Sequence, residues 1–132
     1  MTVFCVSAQD ISSFSFALWK DGFLVREMTT PSSPEGYLEI LDRMLKEWKI
    51  PLSSLGGIVV VSGPGSFTAS RVSVVIANTI AFTCQIPILG IENPQRLVIS
   101  EMAKTLDFAV WPPIGEFVVP MYDRAPHITF RR

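Results

Sequence analysis

Histidine and cysteine are nearly absent from this chain. Its 132 residues hold one histidine, His127, and two cysteines, Cys5 and Cys84. A structural zinc site takes roughly four such ligands, and there is no C-x-x-C pair, which argues against one. Cys5 and Cys84 sit in apolar segments and read as buried thiols, with a long loop-closing disulfide as the rarer reading. A dominant charge is missing too: 11 basic and 12 acidic side chains leave a net charge of −1. That balance gives no field to hold a polyanion and argues against strong, direct RNA binding by this chain alone. Only Arg131 and Arg132 form a basic pair. The N-terminus shows no basic region and no cleavage site, and no apolar run reads as long enough to span a membrane. The cytoplasm is the expected place. Internal repeats and low-complexity tracts are absent.

What the chain does have is apolar bulk. Hydrophobic residues make up 48% and charged residues 17%, the profile of a single globular domain with a sizeable core. Thr2 to Ser7, Phe14 to Trp19 and Phe23 to Met28 read as strands. Lys20, Asp21 and Gly22 form the turn of a hairpin between the second and third. A helix is expected over 34–49, with Ser33 as N-cap and Pro34 at its first position. Tyr37, Leu38, Leu41, Met44, Leu45 and Trp48 give it one apolar stripe, and Pro51 ends it. A strand over 57–62, a helix over 66–84, a strand over 86–91 and a helix from Pro94 to Thr105 follow. The fold class is α/β: a mixed sheet of about five strands with covering helices.

The densest signal lies at 58–84. Ile58 to Val61 is a short apolar run suited to a buried strand. Gly63, Pro64 and Gly65 end it, and Ser66 offers a cap for the next helix. Strand, glycine turn, helix is the geometry of an anion-binding corner. The alternative is a tight turn that lets the helix pack closely on the sheet. No Lys-Ser/Thr follows the second glycine, so this is not a nucleotide P-loop. Val72, Val74, Val75, Ile76, Ala77, Ile80, Ala81 and Phe82 leave the helix apolar nearly all round, so it needs cover on more than one side. Arg71 is the charge on this helix; it either faces solvent or pairs with a carboxylate. Ser66 and Thr68 have no candidate base nearby in sequence.

Gly63, Pro64, Gly65, Ser66, Phe67 and Thr68, with Arg71 after them, resemble the signature of the TsaB (YeaZ-like) family. The usual pattern is Gly-Pro-Gly-Ser-Phe-Thr-Gly-x-Arg-x-Gly; this chain has Ala69 and Ser73 at the two later glycines. The hairpin before the motif and the strand over Pro87 to Ile91 after it agree, so the resemblance covers about residues 2–105. It implies an RNase H-like layer, the half-unit of the actin-like ATPase fold. Residues 1–107 would be that lobe and 108–132 an extension, the remnant of a second lobe that the sequence does not continue into. Phe117 to Met121 and Ile128 to Phe130 would be short strands of it.

In that family the opening strand ends in Asp-Thr-Ser; the corresponding positions here are Ser7, Ala8 and Gln9, with Asp10 beyond the strand. Ser62 stands where a second carboxylate would complete a metal site. A paired-carboxylate site is therefore not assembled, Asp10 reads as a turn residue, and no metal, cofactor or catalytic residue is expected. The resemblance implies a non-catalytic subunit of the machinery that makes threonylcarbamoyladenosine in tRNA. Its partner would be a TsaD-type ligase, with a TsaE-type ATPase as a third component, a homodimer when alone, and tRNA touched only indirectly. Tyr37, Met44, Val72, Val75, Ile76, Thr79 and Ile80 are the expected partner interface, helix on helix. A divergent stand-alone homodimer and a residual actin-like nucleotide-binding protein are the alternatives.

Overall fold

The computed structural model describes residues 1–121. Five strands form one sheet: β1 (Thr2–Ser7), β2 (Ser13–Lys20), β3 (Phe23–Pro31), β4 (Leu55–Gly63) and β5 (Ile88–Glu92). Their order is β3-β2-β1-β4-β5. β1 pairs antiparallel with β2 and β2 with β3, whereas β4 runs parallel to both β1 and β5. The hairpin closes through Asp21 at φ 51° and Gly22 at φ 85°, two left-handed residues that match the twist of the flanking strands. This is the RNase H-like layer.

β1, β2, β4 and β5 feed two cores because side chains alternate across a pleated sheet, whereas β3 is an exposed edge that joins neither. Phe4, Val6, Phe14, Phe16, Leu18, Ile58 and Val60 point to one face, under α1 (Tyr37–Glu47) and α2 (Phe67–Cys84). Val3, Cys5, Trp19, Val59 and Val61 point to the other, where α3 (Ile99–Met102) adds Ile99 and Met102. β4 is buried on both faces, so its sequence reads as a continuous apolar run. Aromatic packing holds α1 down: the Tyr37 ring stacks on Phe14 with centroids 4.4 Å apart, and Trp48 meets Phe16 at 5.4 Å.

α2 lies close to the sheet because its inner face is small. Ala69, Ser70, Ser73, Ala77 and Ala81 are all buried. Ser66 caps it, its Oγ accepting from Ala69 N at 3.3 Å, and Gln85 ends it at φ 55°. Against the expectation from sequence, this helix does reach the length and apolarity of a membrane span, with 18 residues at a mean hydropathy of 1.3. Its buried face is instead packed on β4 and its neighbours, among the residues of the first core.

Three elements differ from the sequence reading. The chain enters α1 through a 3-10 turn, Pro34–Gly36, in which Gly36 N donates to Ser33 O at 3.0 Å; the Ser33 hydroxyl makes no cap. The last helix does not begin at Pro94. Arg96 sits at φ 52° and Leu97 N donates to Asn93 Oδ1 at 3.1 Å, which folds 93–97 into a turn and delays the helix to Ile99. Residues 117–121 form no strand. Pro112, Pro113 and Pro120 carry no N–H to pair, and the segment runs as an irregular strap around the β5 edge.

The strap is seated by glycines. Trp111 lies against Gly57 on the α3 face, where an added Cβ would come 2.6 Å from the indole. Its Nε1 donates to Phe108 O at 2.7 Å. On the other face Val118 sits over Gly90, equally close to where a Cβ would be. Asn78 of α2 clasps its backbone twice: Nδ2 donates to Val118 O and Val118 N donates to Oδ1, both at 2.9 Å. Met121 N then donates to Ser62 O at 2.6 Å. His127, Ile128 to Phe130, Arg131 and Arg132 lie outside the described residues.

Candidate partner-binding face

The motif turn stands at the carboxyl end of β4, between the ends of β1 and β5. Open α/β sheets bind ligands in this region. Here it is braced by protein. Gln9, at the exit of β1, is buried, and its Nε2 donates to Pro64 O and to Asn93 O, both at 2.7 Å. Its Oε1 accepts from Asn93 Nδ2 at 2.9 Å. The same Asn93 Nδ2 donates to Leu97 O at 2.8 Å, and Asn93 N donates to Gly63 O at 2.8 Å. Ser66 N donates to Gln9 O at 2.8 Å. Gly65 presses on Gln9, leaving 2.6 Å between an added Cβ and Gln9 O. Gly63, at φ 137°, abuts the backbone of Met121.

Beside this brace is a shallow polar cleft of about 270 Å³, lined by Ser7, Asp10, Ser13, Thr29 and Arg96 among others. Asp10 is engaged locally: its Oδ1 accepts from Ser12 N at 2.9 Å and from Ser12 Oγ at 2.7 Å. Those bonds hold its carboxyl below the usual carboxylate range. Ser66 spends its hydroxyl on the helix cap, and Thr68 faces outward. The described residues contain no group of three or more His, Cys, Asp or Glu able to hold a metal. Cys5 and Cys84 are free thiols; burial pushes the Cys5 thiol far up, whereas Cys84 is partly exposed rather than buried.

The outward side of α2 is different in kind. Phe67, Val75 and Phe82 are 51%, 61% and 74% exposed, and Val72 and Ile76 are half-buried between them. Phe67, Thr68, Arg71, Val72, Val75 and Ile76 line an apolar groove of about 320 Å³. The Arg71 guanidinium lies over the Phe67 ring, 5.2 Å from its centroid, so this charge covers an aromatic face. Thr79 is exposed further along, its hydroxyl bonded to Val75 O at 2.8 Å.

Three residues expected on this face are elsewhere. Tyr37 is fully buried against Phe14, Met44 faces the sheet, and Ile80 lies on the inner side of α2 with Ala77 and Ala81. Helical periodicity explains the last: Ile80 follows Ala69, Ser73 and Ala77 around the inner face, while Val75, Thr79 and Phe82 follow the outer one. Phe82 and, on α1, the exposed Leu38 complete the exposed apolar surface of the helical layer. Phe82 could have been found from its helical spacing to Val75 and Thr79.

Residues 27–112 match the family described as TsaD, tRNA N6-adenosine threonylcarbamoyltransferase. The tRNA threonylcarbamoyladenosine biosynthesis protein TsaB of Buchnera aphidicola subsp. Schizaphis graminum (strain Sg) is 37% identical over 56 residues, 42% of this chain and 27% of that protein. Two solved structures align at a TM-score of 0.62 with 23% identity, covering 77% of this chain and 47% of theirs. One is YeaZ from Pseudomonas aeruginosa, and the other is an uncharacterized protein with similarity to peptidase YeaZ from Pseudomonas aeruginosa. The chain spans about half the length of those structures. With well over half of its residues inside the family match, this chain belongs to the TsaD family.

Proposed function

We propose that this chain serves threonylcarbamoyladenosine synthesis in tRNA as a non-catalytic subunit that binds and positions a TsaD-type ligase. The observation that carries this reading is the outward face of α2, where Phe67, Val72, Val75, Ile76 and Phe82 form one apolar stripe on a helix already packed on its other side. Contiguous exposed apolar surface marks a protein contact. A stable contact buries about 800 Å² per partner, which one long helix with a neighbour can supply. Support for a non-catalytic role comes from Ser66 and Asp10, whose polar atoms serve the helix cap and a turn. The tRNA would be reached through the ligase, and a TsaE-type ATPase would join that assembly.

The test mixes the chain with the TsaD homologue encoded by the same genome and measures mass by light scattering. A one-to-one complex is expected. Val75→Glu should abolish it while leaving the melting curve unchanged, because Val75 touches little of the core. No complex for the native pair would overturn the reading. The second reading, a homodimer through the same stripe, predicts a dimer mass for the chain alone that Val75→Glu converts to a monomer.

A further inference from the structure

Gln9 makes more bonds to distant parts of the chain than any role in a turn requires. Its carboxamide nitrogen lies between two carbonyl oxygens, Pro64 O and Asn93 O, at 2.7 Å each. Its carboxamide oxygen is held by Asn93, whose own side chain is fixed at both ends by Leu97. Its main-chain oxygen receives Ser66 N, and its backbone fills the space that Gly65 leaves open. One residue thus grips Pro64, Gly65 and Ser66 in succession. The next residue is Phe67, where α2 begins and its exposed face starts.

We propose that Gln9 is a positioning residue: locked by Asn93, it fixes the entry of α2 and so the presentation of Phe67 and Arg71 on the docking face. The part concerning docking rests on the proposed function. The amide pair suits this task because it is neutral. A carboxamide satisfies two carbonyl acceptors with its two hydrogens and leaves an oxygen for its partner. A carboxylate in its place would face two carbonyl oxygens with no hydrogen to offer. A shorter amide would not span the gap. β1, β4 and the exit of β5 are joined here by side chains beyond the point where sheet hydrogen bonds end.

Gln9→Met keeps the volume and removes the bonds; Gln9→Glu keeps the shape and reverses the donor. Met102→Ala, in the core on the opposite sheet face, serves as a control for general loss of stability. Hydrogen exchange is followed at Ser66, Ala69 and Asn93, whose amides lie in the braced region. Both Gln9 variants should speed exchange there by about tenfold or more, while Met102→Ala should not do so selectively. If Gln9→Glu fails to fold, Gln9→Met alone decides. Uniform acceleration, or none at the three amides, overturns the positioning role. Binding of the TsaD homologue, measured in parallel below the melting range, should weaken about tenfold in Gln9→Met and stay native in Met102→Ala. Equal weakening in both would overturn the link to docking. If the native chain binds no ligase, the proposed function falls, and the exchange data still decide whether Gln9 positions the helix entry.

Discussion

Gly65 has no room for a side chain, and the obstacle is rigid. An added Cβ would meet the backbone oxygen and Cα of Gln9, neither of which can turn away as a side chain would. Gly65→Ala should therefore destabilise by about 1–3 kcal/mol, lowering the melting temperature by several degrees in thermal denaturation. Gly22, open on all sides at φ 85°, would suffer only from backbone strain, on the order of 1 kcal/mol. Three exposed carboxyl groups supply a pH dependence. Asp10 is lowered by its bonds from Ser12, Asp21 by the N-terminal ammonium, and Glu35 by a bond from Ser33. A lowered folded-state pKa means that the unfolded chain binds protons first on acidification. Stability from these groups is complete above their ordinary range and falls as the pH drops through it and below. Melting temperature should hold from neutral pH to about 5 and decline beneath about 4. At this scale the sequence revealed residue types and not their distant partners. Glycine at 65 was legible as a requirement for close approach or a turn. That the approaching group is Gln9, 56 positions earlier, depends on β1 and β4 lying side by side.

Among the elements, strands and long helices were legible because period-two and period-3.6 patterns are strong in them. The doubly buried β4 and α2 follow from composition and turn residues within a residue or two, and the hairpin does so except that β3 runs three residues past Met28, to Pro31. The short pieces did not. The helix expected from Pro94 begins five residues later because one side chain, Asn93, captures the amide of Leu97. The strand expected at 117–121 gives way to a strap because Asn78 supplies the bonds a neighbouring strand would have supplied. Asn78→Leu should release it. Expected is faster exchange at the Val118 amide, with β1 and β4 amides unchanged, at a cost of about 1–3 kcal/mol for the bonds left unmade. Gly90→Val would force Val118 outward and should produce the same exchange pattern without touching Asn78. The α2 stripe was half legible: spacing separates an inner from an outer face, but which face meets the sheet is fixed by the small residues of the inner one. That is why Ile80 was misplaced while Val72, Val75, Ile76 and Thr79 do fall on the outer, exposed or half-exposed side.

Residues 1–121 are three layers deep, with α1 and α2 over one sheet face, α3 over the other, and the strap passing from the α3 side at Trp111 to the α2 side at Val118. The crevice at the carboxyl ends of β1, β4 and β5 is spanned by the Gln9–Asn93 pair, and Asp10 beside it is tied to Ser12. A nucleotide with its metal would find two neutral amides where it needs carboxylates. Titration of the chain with Mg-ATP in a calorimeter should give no heat of binding. A dissociation constant tighter than about 10 µM, near 7 kcal/mol, would overturn that expectation. Layer order was legible in the alternation of the strands; the spanned crevice was not, because it is assembled from side chains 84 positions apart.

The indole of Trp111 has an optical consequence. Trp19 is buried in the second core, with its ring 5.3 Å from that of Phe108, and Trp48 leans on Phe16 on the opposite sheet face. Trp111 alone rests on bare backbone at Gly57, with its N–H committed to Phe108 O. With Trp19 and Trp48 replaced by phenylalanine, the remaining emission belongs to the strap. Its wavelength shifts to the red when the segment lifts into water and to the blue when it settles, giving a continuous fluorescent signal of whether the β5 side of the molecule is open or closed.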